Sequence, residues 1–435
     1  MEKSGFSETG ISSTSASPEA GKSVKHASSM KANIFLLLVS LVVGLVIAEI
    51  AVRVYFKMSQ RTVYQQMAQQ RSPNGSHFVL KDIIAPSDNP RLVYELIPNR
   101  SGIFQGVLFQ TNSHGMRGPE TTIDKREGTW RIAALGDSTM FGWGIEQEQA
   151  YPAVLEKALN SAGDSRHYEV LNFAVPGYNT AIEAEVYKRR AAAFNPDLIL
   201  IQFDINDLAL PNFVFDPPDM MTLKRSYLLA LVKNLLKGRD ARESMIRITS
   251  SQLQRSPHID APSVDGVVKY FEYRAQFAPE RYRYMVGWDG VRRALDRLWT
   301  ESDQPILHLS WTYRIFGKML KDFGDIDMFA RHVHQGAARR NDGHRFFFLD
   351  IMSVGREFCK VLGLNWVRDL VVDYPNDYHP SPERHVLIAR AIYLTLVENH
   401  LLPLGSVLYQ KKDIIAQSLW DKAREIAESR SALKN

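Results

Sequence analysis

The chain has a single cysteine in 435 residues, Cys359. One cysteine excludes an intrachain disulfide and any zinc site built from cysteines. It also lacks a block of like charge. Its 53 Lys and Arg are interleaved with 48 Asp and Glu, most thickly between Lys224 and Arg297, for a net charge of +5. A nucleic-acid footprint is a contiguous basic patch, so no nucleic-acid partner is expected and the charges read as a solvated face. No internal repeat is visible, and no His/Asp/Glu cluster shows metal-ligand spacing; neither a metal nor another cofactor is expected. At 45% apolar and 23% charged residues, the composition suits one large globular domain with appendages.

Long apolar runs are scarce too, and the one exception is informative. Residues 1–30 are rich in Ser, Gly, Ala and Lys and are expected to be disordered. Ile34 to Ala48 (IFLLLVSLVVGLVIA) is then unbroken, and apolar character continues past Glu49 and Arg53 to Phe56. The 23 residues from Ile34 to Phe56 suffice to cross a hydrocarbon core of about 30 Å. Glu49 and Arg53 stand four apart, on one helix face, where they can pair. Val46-Ile47-Ala48 would serve as a signal-peptide cleavage site, but the polar leader is long and the apolar run continues beyond it. The expectation is an uncleaved single-pass anchor over residues 31–56. Lys22, Lys25 and Lys31 before the span balance Arg53, Lys57 and Arg61 after it, so flanking charge does not choose the side.

Residues 57–104 read as a polar juxtamembrane lead-in broken by Pro86, Pro90 and Pro98. From residue 105 to 400, strand-like runs (Arg131–Leu135, Tyr168–Phe173, Leu198–Phe203, Ile306–Leu309, Phe346–Leu349) alternate with helical patterns. Those helices fall at Ala150–Ser161, Ala181–Ala193, Val286–Thr300, Met328–Arg339 and Pro382–Glu398. Short apolar strands separated by helices imply an α/β domain with a parallel sheet covered on both faces. Residues 208–283 break the rhythm and read as an insertion, with an amphipathic helix at Ser226–Leu236. Residues 401–435 are expected to form a charged surface helix.

The first strand runs directly into Gly136-Asp137-Ser138-Thr139. A serine at the carboxyl end of such a strand sits where an open α/β sheet exposes a reactive group, and it becomes a nucleophile if a base and an oxyanion site converge on it. Three further positions follow strand ends or open a helix: Gly177 in NFAVPGYN, Asn206 in FDIND, and His379 in NDYHP. Acyl transfer needs these types. Ser138 Oγ would attack a carbonyl and His379 would take its proton. The backbone N–H groups of Ser138 and Gly177 and the Asn206 amide would meet the oxyanion. Singly, each has a commoner structural meaning: Asp137 or Ser138 as a helix cap, Gly177 as a turn, Asn206 as a cap, and His379 as a loop residue before a proline at a helix start.

Together, in this order, these blocks resemble the SGNH, or GDSL, hydrolases. Gly136-Asp137-Ser138 corresponds to the first block, Gly177 to the second, Asn206-Asp207 to the third and His379-Pro380 to the fifth. Asn112-Ser-His-Gly115-Met-Arg117 is similar to an upstream element of bacterial membrane-anchored members. The resemblance implies a flavodoxin-like three-layer α/β/α fold with about five parallel strands after one transmembrane helix. It also implies a Ser-His-Asp site acting on acyl esters. Two positions depart from the pattern. Asp204 stands where the third block usually has glycine, which would put a carboxylate where it binds a substrate hydroxyl or weakens the oxyanion site. The usual acid, three residues before the histidine, is here Asn376; Asp377 is the expected acid, Asp373 the reserve, and His385 the weaker candidate base.

The leading expectation is a serine esterase in a bacterial inner membrane with its catalytic domain outside the cytoplasm. Its substrate would be an O-acyl ester, acetyl among them, of a polysaccharide or glycolipid. The alternatives are an O-acyltransferase using the same triad, or a non-catalytic binding or assembly protein of cell-envelope polysaccharide metabolism that kept the fold. The sequence names no protein partner and no oligomeric state.

Overall fold

The computed structural model describes residues 20–69, 72–211, 215–216, 226–236, 247–248, 278, 280–310, 345–351, 353–365, 368–374 and 376–434. The helix expected at Met328–Arg339 and most of the 208–283 insertion lie outside them. The chain forms two compact units, Met1–Val63 with Pro218–Met245, and Tyr64–Pro217 with Ile246–Asn435.

The first unit is built on α1 (Ala20–Gln69), within which Ser29–Tyr55 is long and apolar enough to cross a membrane. Residues 20–30, expected to be disordered, are helical. Ala, Lys and Met are good helix formers, and extending a helix already nucleated by the apolar run is cheap. Among the described residues the unit has one other helix, Tyr227–Leu236.

The second unit holds a five-stranded, wholly parallel sheet. Its strands are β1 (Thr129–Leu135), β2 (His167–Asn172), β3 (Leu198–Phe203), β4 (Ile306–Ser310) and β5 (Phe346–Asp350), in the order β5-β4-β3-β1-β2. β3 (LILIQF) is buried along its whole length, as a strand covered on both faces must be. The order is that of a doubly wound, flavodoxin-like sheet, which changes direction between β1 and β3. Ile132 pairs with Leu198 across that switch. Loops leaving the carboxyl ends of β1 and β3 therefore open onto one crevice, the usual ligand site of such sheets.

Among the described helices of this unit are α2 (Ser138–Phe141), α3 (Tyr151–Asn160), α4 (Thr180–Arg189), α5 (Gly287–Glu301), α6 (Pro382–Glu398) and α7 (Lys412–Lys434). α3, α6 and α7 pack together, as do α4 and α5. The tail is more than a surface helix. Ile415, Leu419, Ala423 and Ala427 of α7 are buried in the main core, a four-residue spacing that lays one stripe onto α6. The lead-in is likewise part of the domain. Tyr94, Phe104 and Phe109 join the same core from two antiparallel hairpins, Ile84–Pro86 with Tyr94–Leu96 and Ser101–Phe104 with Val107–Gln110, and Phe78 and Ile83 join it from the strand His77–Phe78 and the turn of helix Leu80–Ile83.

Candidate active site

β1 ends at Gly136, where a Cβ would lie 2.7 Å from Met140 Cβ. Only glycine lets the chain fold back this tightly. Asp137 then caps α2, its Oδ1 accepting from Thr139 N at 2.9 Å. Ser138 is the first helical residue, half-buried. The cap fixes the turn that presents the Ser138 hydroxyl. Asp137 also accepts from Gln202 Nε2 at 3.0 Å and Asn206 Nδ2 at 3.1 Å, and the Tyr151 hydroxyl donates to Gln202 Oε1 at 2.6 Å.

His379 reaches Ser138 from a separate element. A short antiparallel pair, β6 (Val371–Asp373) and β7 (Asp377–Pro380), precedes α6 and pairs Asp373 with Asp377. His379 Nε2 lies 2.9 Å from Ser138 Oγ, and His379 Nδ1 lies 2.6 Å from Asp377 Oδ1. The carboxylate at Nδ1 sets the tautomer, with the proton on Nδ1 and Nε2 free to accept from the hydroxyl. Asp377 Oδ1 also accepts from the His379 backbone N–H at 2.9 Å, which closes the two-residue Asp-x-His loop. Burial pushes the Asp377 carboxyl up, but bonds from His379 and Trp143 outweigh it and hold the group below its ordinary range.

Trp143 was not anticipated as a site residue. Its Nε1 donates to Asp377 Oδ2 at 3.1 Å, and its ring stacks on the His379 imidazole at 5.1 Å and 20°. Phe104 meets the indole edge-on at 4.9 Å. Its location two residues beyond the nucleophile helix was the only hint in the sequence.

The other candidates fall elsewhere. Asn376 Nδ2 donates to Asp373 Oδ2 at 3.1 Å, and both residues are exposed; of the three acid candidates, Asp377 meets the imidazole. His385 is fully buried on α6, its Nδ1 accepting from Tyr151 N at 3.1 Å while its ring stacks on Tyr151. Burial, with Arg117 and Arg384 nearby, pulls its pKa down to about 3. The imidazole is neutral and bonded to Tyr151 in the core.

Gly177 has φ of +79°, a left-handed conformation that favours glycine. Its turn is braced by the lead-in: Tyr94 Oη donates to Pro176 O at 2.9 Å, and Tyr178 Oη donates to Tyr94 O. Asn172 ties the same loop to the nucleophile helix, donating to Met140 O at 3.3 Å. Asn206 sits in the helical turn Ile205–Leu208. One hydrogen of its amide is engaged by Asp137, and an NH₂ group has a second to give.

Asp204, expected to bind a substrate hydroxyl or to weaken the oxyanion site, is buried. It stands among acids. Burial, then neighbouring Asp207 and Asp137, and Asp204 after them, push the Glu183 carboxyl well up. Burial and Asp137 do the same to Asp207, against a hydrogen bond from Thr180.

The upstream Asn-x-x-Gly-x-Arg element acts on the nucleophile loop. Asn112 Oδ1 accepts from His114 N and Met116 N, each at 3.0 Å. Arg117 then donates to Phe141 O at 2.9 Å, to Gly142 O, and to Ile145 O at 2.7 Å. Burial lowers its pKa to about 10, so the guanidinium stays charged at neutral pH. It satisfies the carbonyls that the short helix α2 leaves unpaired.

No curated protein sequence matches the chain. Among solved structures, a variant of an acetyl xylan esterase from Geobacillus stearothermophilus is similar at 16% identity, covering 64% of this chain and 97% of that one, with a TM-score of 0.36. A family 3 carbohydrate esterase from Clostridium thermocellum is similar at 13% identity, covering 62% and 96%, with a TM-score of 0.34. Residues 134–387, more than half of the 435, match the model of the GDSL-like lipase/acylhydrolase family. The match opens at the end of β1 and closes in α6, so it encloses Ser138, Gly177, Asn206, Asp377 and His379. The chain belongs to the GDSL-like lipase/acylhydrolase family of ester hydrolases.

Proposed function

We propose that the protein is a membrane-anchored serine esterase that removes O-acyl groups, acetyl among them, from a polysaccharide or glycolipid outside the cytoplasm. The observation that carries the catalytic part is the unbroken line Ser138 Oγ–His379–Asp377, with contacts of 2.9 and 2.6 Å. In this reading Ser138 Oγ attacks the ester carbonyl as its proton passes to His379 Nε2. The imidazolium, held by Asp377, returns the proton to the leaving alcohol, and water activated by the same imidazole releases the acid. Charge on the carbonyl oxygen is met by the N–H groups of Ser138 and Gly177 and by the Asn206 amide.

The anchor part is supported by Ser29–Tyr55, 27 residues with apolar side chains exposed. At 1.5 Å per residue that is about 40 Å of helix, ample for a bilayer core. The test is fluorophosphonate labelling of the full-length protein, with the adduct located by mass spectrometry and acetate release from acetylated oligosaccharides followed in parallel. Label on Ser138 with acetate release, both lost in Ser138→Ala, is the expected result. Absence of label and turnover would overturn the esterase reading in favour of a binding protein. Acyl transfer to an added sugar exceeding release to water would make it a transferase.

A further inference from the structure

The helix Tyr227–Leu236 reads YLLALVKNLL, with only Lys233 and Asn234 polar among its last nine residues. Its first turn is fixed to α1. Tyr227 N donates to Glu49 Oε1 at 2.9 Å, Leu228 N to Glu49 Oε2 at 2.9 Å, and Ser226 Oγ to Glu49 Oε2 at 2.8 Å. Arg53 completes the cluster, its Nε 2.7 Å from Glu49 Oε1 and its guanidinium 5.0 Å from the Tyr227 ring centre. Tyr227, Leu231 and Val52 form a small apolar cluster of their own. The remainder is bare: Leu229 is 54% exposed, Val232 42%, Leu235 63% and Leu236 82%.

We propose that Tyr227–Leu236 is a second membrane contact, lying at the boundary between lipid headgroups and acyl chains and pinned there by Glu49. The proposal rests on the single-pass anchor reading above. Depth is the argument. Glu49 lies six residues before the end of the apolar span at Tyr55, which places its carboxylate about 9 Å inside that end. Interfacial helices bury their apolar face about 5–10 Å into this boundary. The bonds from Ser226, Tyr227 and Leu228 fix the start of the second helix at Glu49's depth, so its bare leucines continue the apolar surface of the anchor. Lys233 is exposed and long enough to reach the phosphates while its stem stays among the leucines. The pin also answers why a carboxylate stands within an apolar span: helix N–H groups and Arg53 neutralise it there.

Cys359 is the only cysteine and is buried, which permits single-site probes. In a full-length Cys359→Ala background, an environment-sensitive fluorophore is placed at Leu229→Cys, Leu235→Cys, Leu236→Cys or, as the anchor control, Leu41→Cys. The protein is reconstituted in phosphatidylethanolamine–phosphatidylglycerol vesicles carrying spin-labelled acyl chains. Lipid quenching at 229, 235 and 236 of at least about half that at Leu41, with protection from aqueous iodide, is expected. Quenching at Leu41 alone, with iodide reaching the other three, overturns the proposal and leaves the anchor standing. Lipid quenching at none of the four overturns both. Glu49→Ala should at least halve the lipid quenching at 229; an unchanged value would overturn the pin. On the unaltered chain, a lipid-borne carbene reagent should mark the peptide bearing 227–236, and a clean peptide beside a marked anchor would overturn the proposal without any substitution.

Discussion

At the rim of the site, Ser138 is half-buried and the His379 and Asp377 side chains are 28% and 22% exposed. Their polar atoms form one chain ending on the Trp143 indole. Behind Asp137, groups of the same kinds sit in the opposite condition. Glu183, Asp207 and His385 are buried, and both Glu183 oxygens, Asp207 Oδ1 and His385 Nε2 lack a hydrogen-bond partner among the described residues. At the rim, pairing keeps Asp377 ionised; in the interior, burial drives Glu183 and Asp207 toward the protonated form and His385 toward the neutral one. Among these acid and imidazole groups, negative charge is therefore kept on Asp377 at the rim. What separates these carboxyl groups is whether the donors around them outweigh the cost of burial: at Asp377 they do, and at Asp207, which accepts from Thr180, they do not.

Breaking the rim should have the largest effect. Ser138→Ala and His379→Ala should each lower kcat by about 10⁴-fold or more, and Asp377→Asn by a comparable factor, because an amide at that position favours the wrong imidazole tautomer. Asp373→Asn and Asn376→Ala should leave kcat within about threefold; a crippled Asp373→Asn beside an active Asp377→Asn would move the acid to Asp373.

Asn206→Ala should come next, lowering kcat by about 10²–10³ with KM nearly unchanged, since its amide acts on charge that develops in the transition state. A loss confined to KM would make it a substrate contact instead.

Trp143→Phe keeps the ring over His379 and removes the donor to Asp377. A lost hydrogen bond to a charged group corresponds to about tenfold in kcat. The same variant should raise the Asp377 pKa, read from its carboxyl carbon shift against pH; an unchanged Asp377 titration with lower stability would reduce Trp143 to packing.

The interior should answer only in stability. Glu183 has a raised folded pKa, so its contribution is intact below the unfolded value and is lost as pH rises through the folded one. Glu183→Gln should raise Tm by about 2–4 °C at pH 8 and by less at pH 5. For His385 the sign is reversed: its lowered folded pKa lets the unfolded chain bind a proton that the folded chain refuses between about 6.5 and 3. Wild-type stability should fall across that window at up to about 1.4 kcal/mol per pH unit from this group, and His385→Gln should flatten the slope.

Five strands could be read to within about two residues at each end because buried parallel strands are short apolar runs between breakers. Ser138, His379 and Asp377 could be read as candidates because the first follows a strand and the other two stand just before a helix, where chain order constrains position. Trp143 and Arg117 were not, since their work is done on partners distant in the chain: Asp377 lies 234 residues from Trp143, and Arg117 addresses backbone carbonyls that no residue type announces. The burial of α7 was hidden by its charged residues, which share the helix with the spaced apolar stripe.

The brace from Tyr94 to the Pro176–Gly177 turn bears on what can be inherited or transplanted as a unit. The family match begins at residue 134, yet the turn carrying Gly177 leans on a hairpin some forty positions before that boundary, and the loop after Ser138 leans on Arg117. A segment copied into another gene at the family boundary would carry the reactive serine without either support. The heritable module of this hydrolase therefore begins upstream of its recognisable core, and that lead-in should travel with it whenever the domain is shuffled.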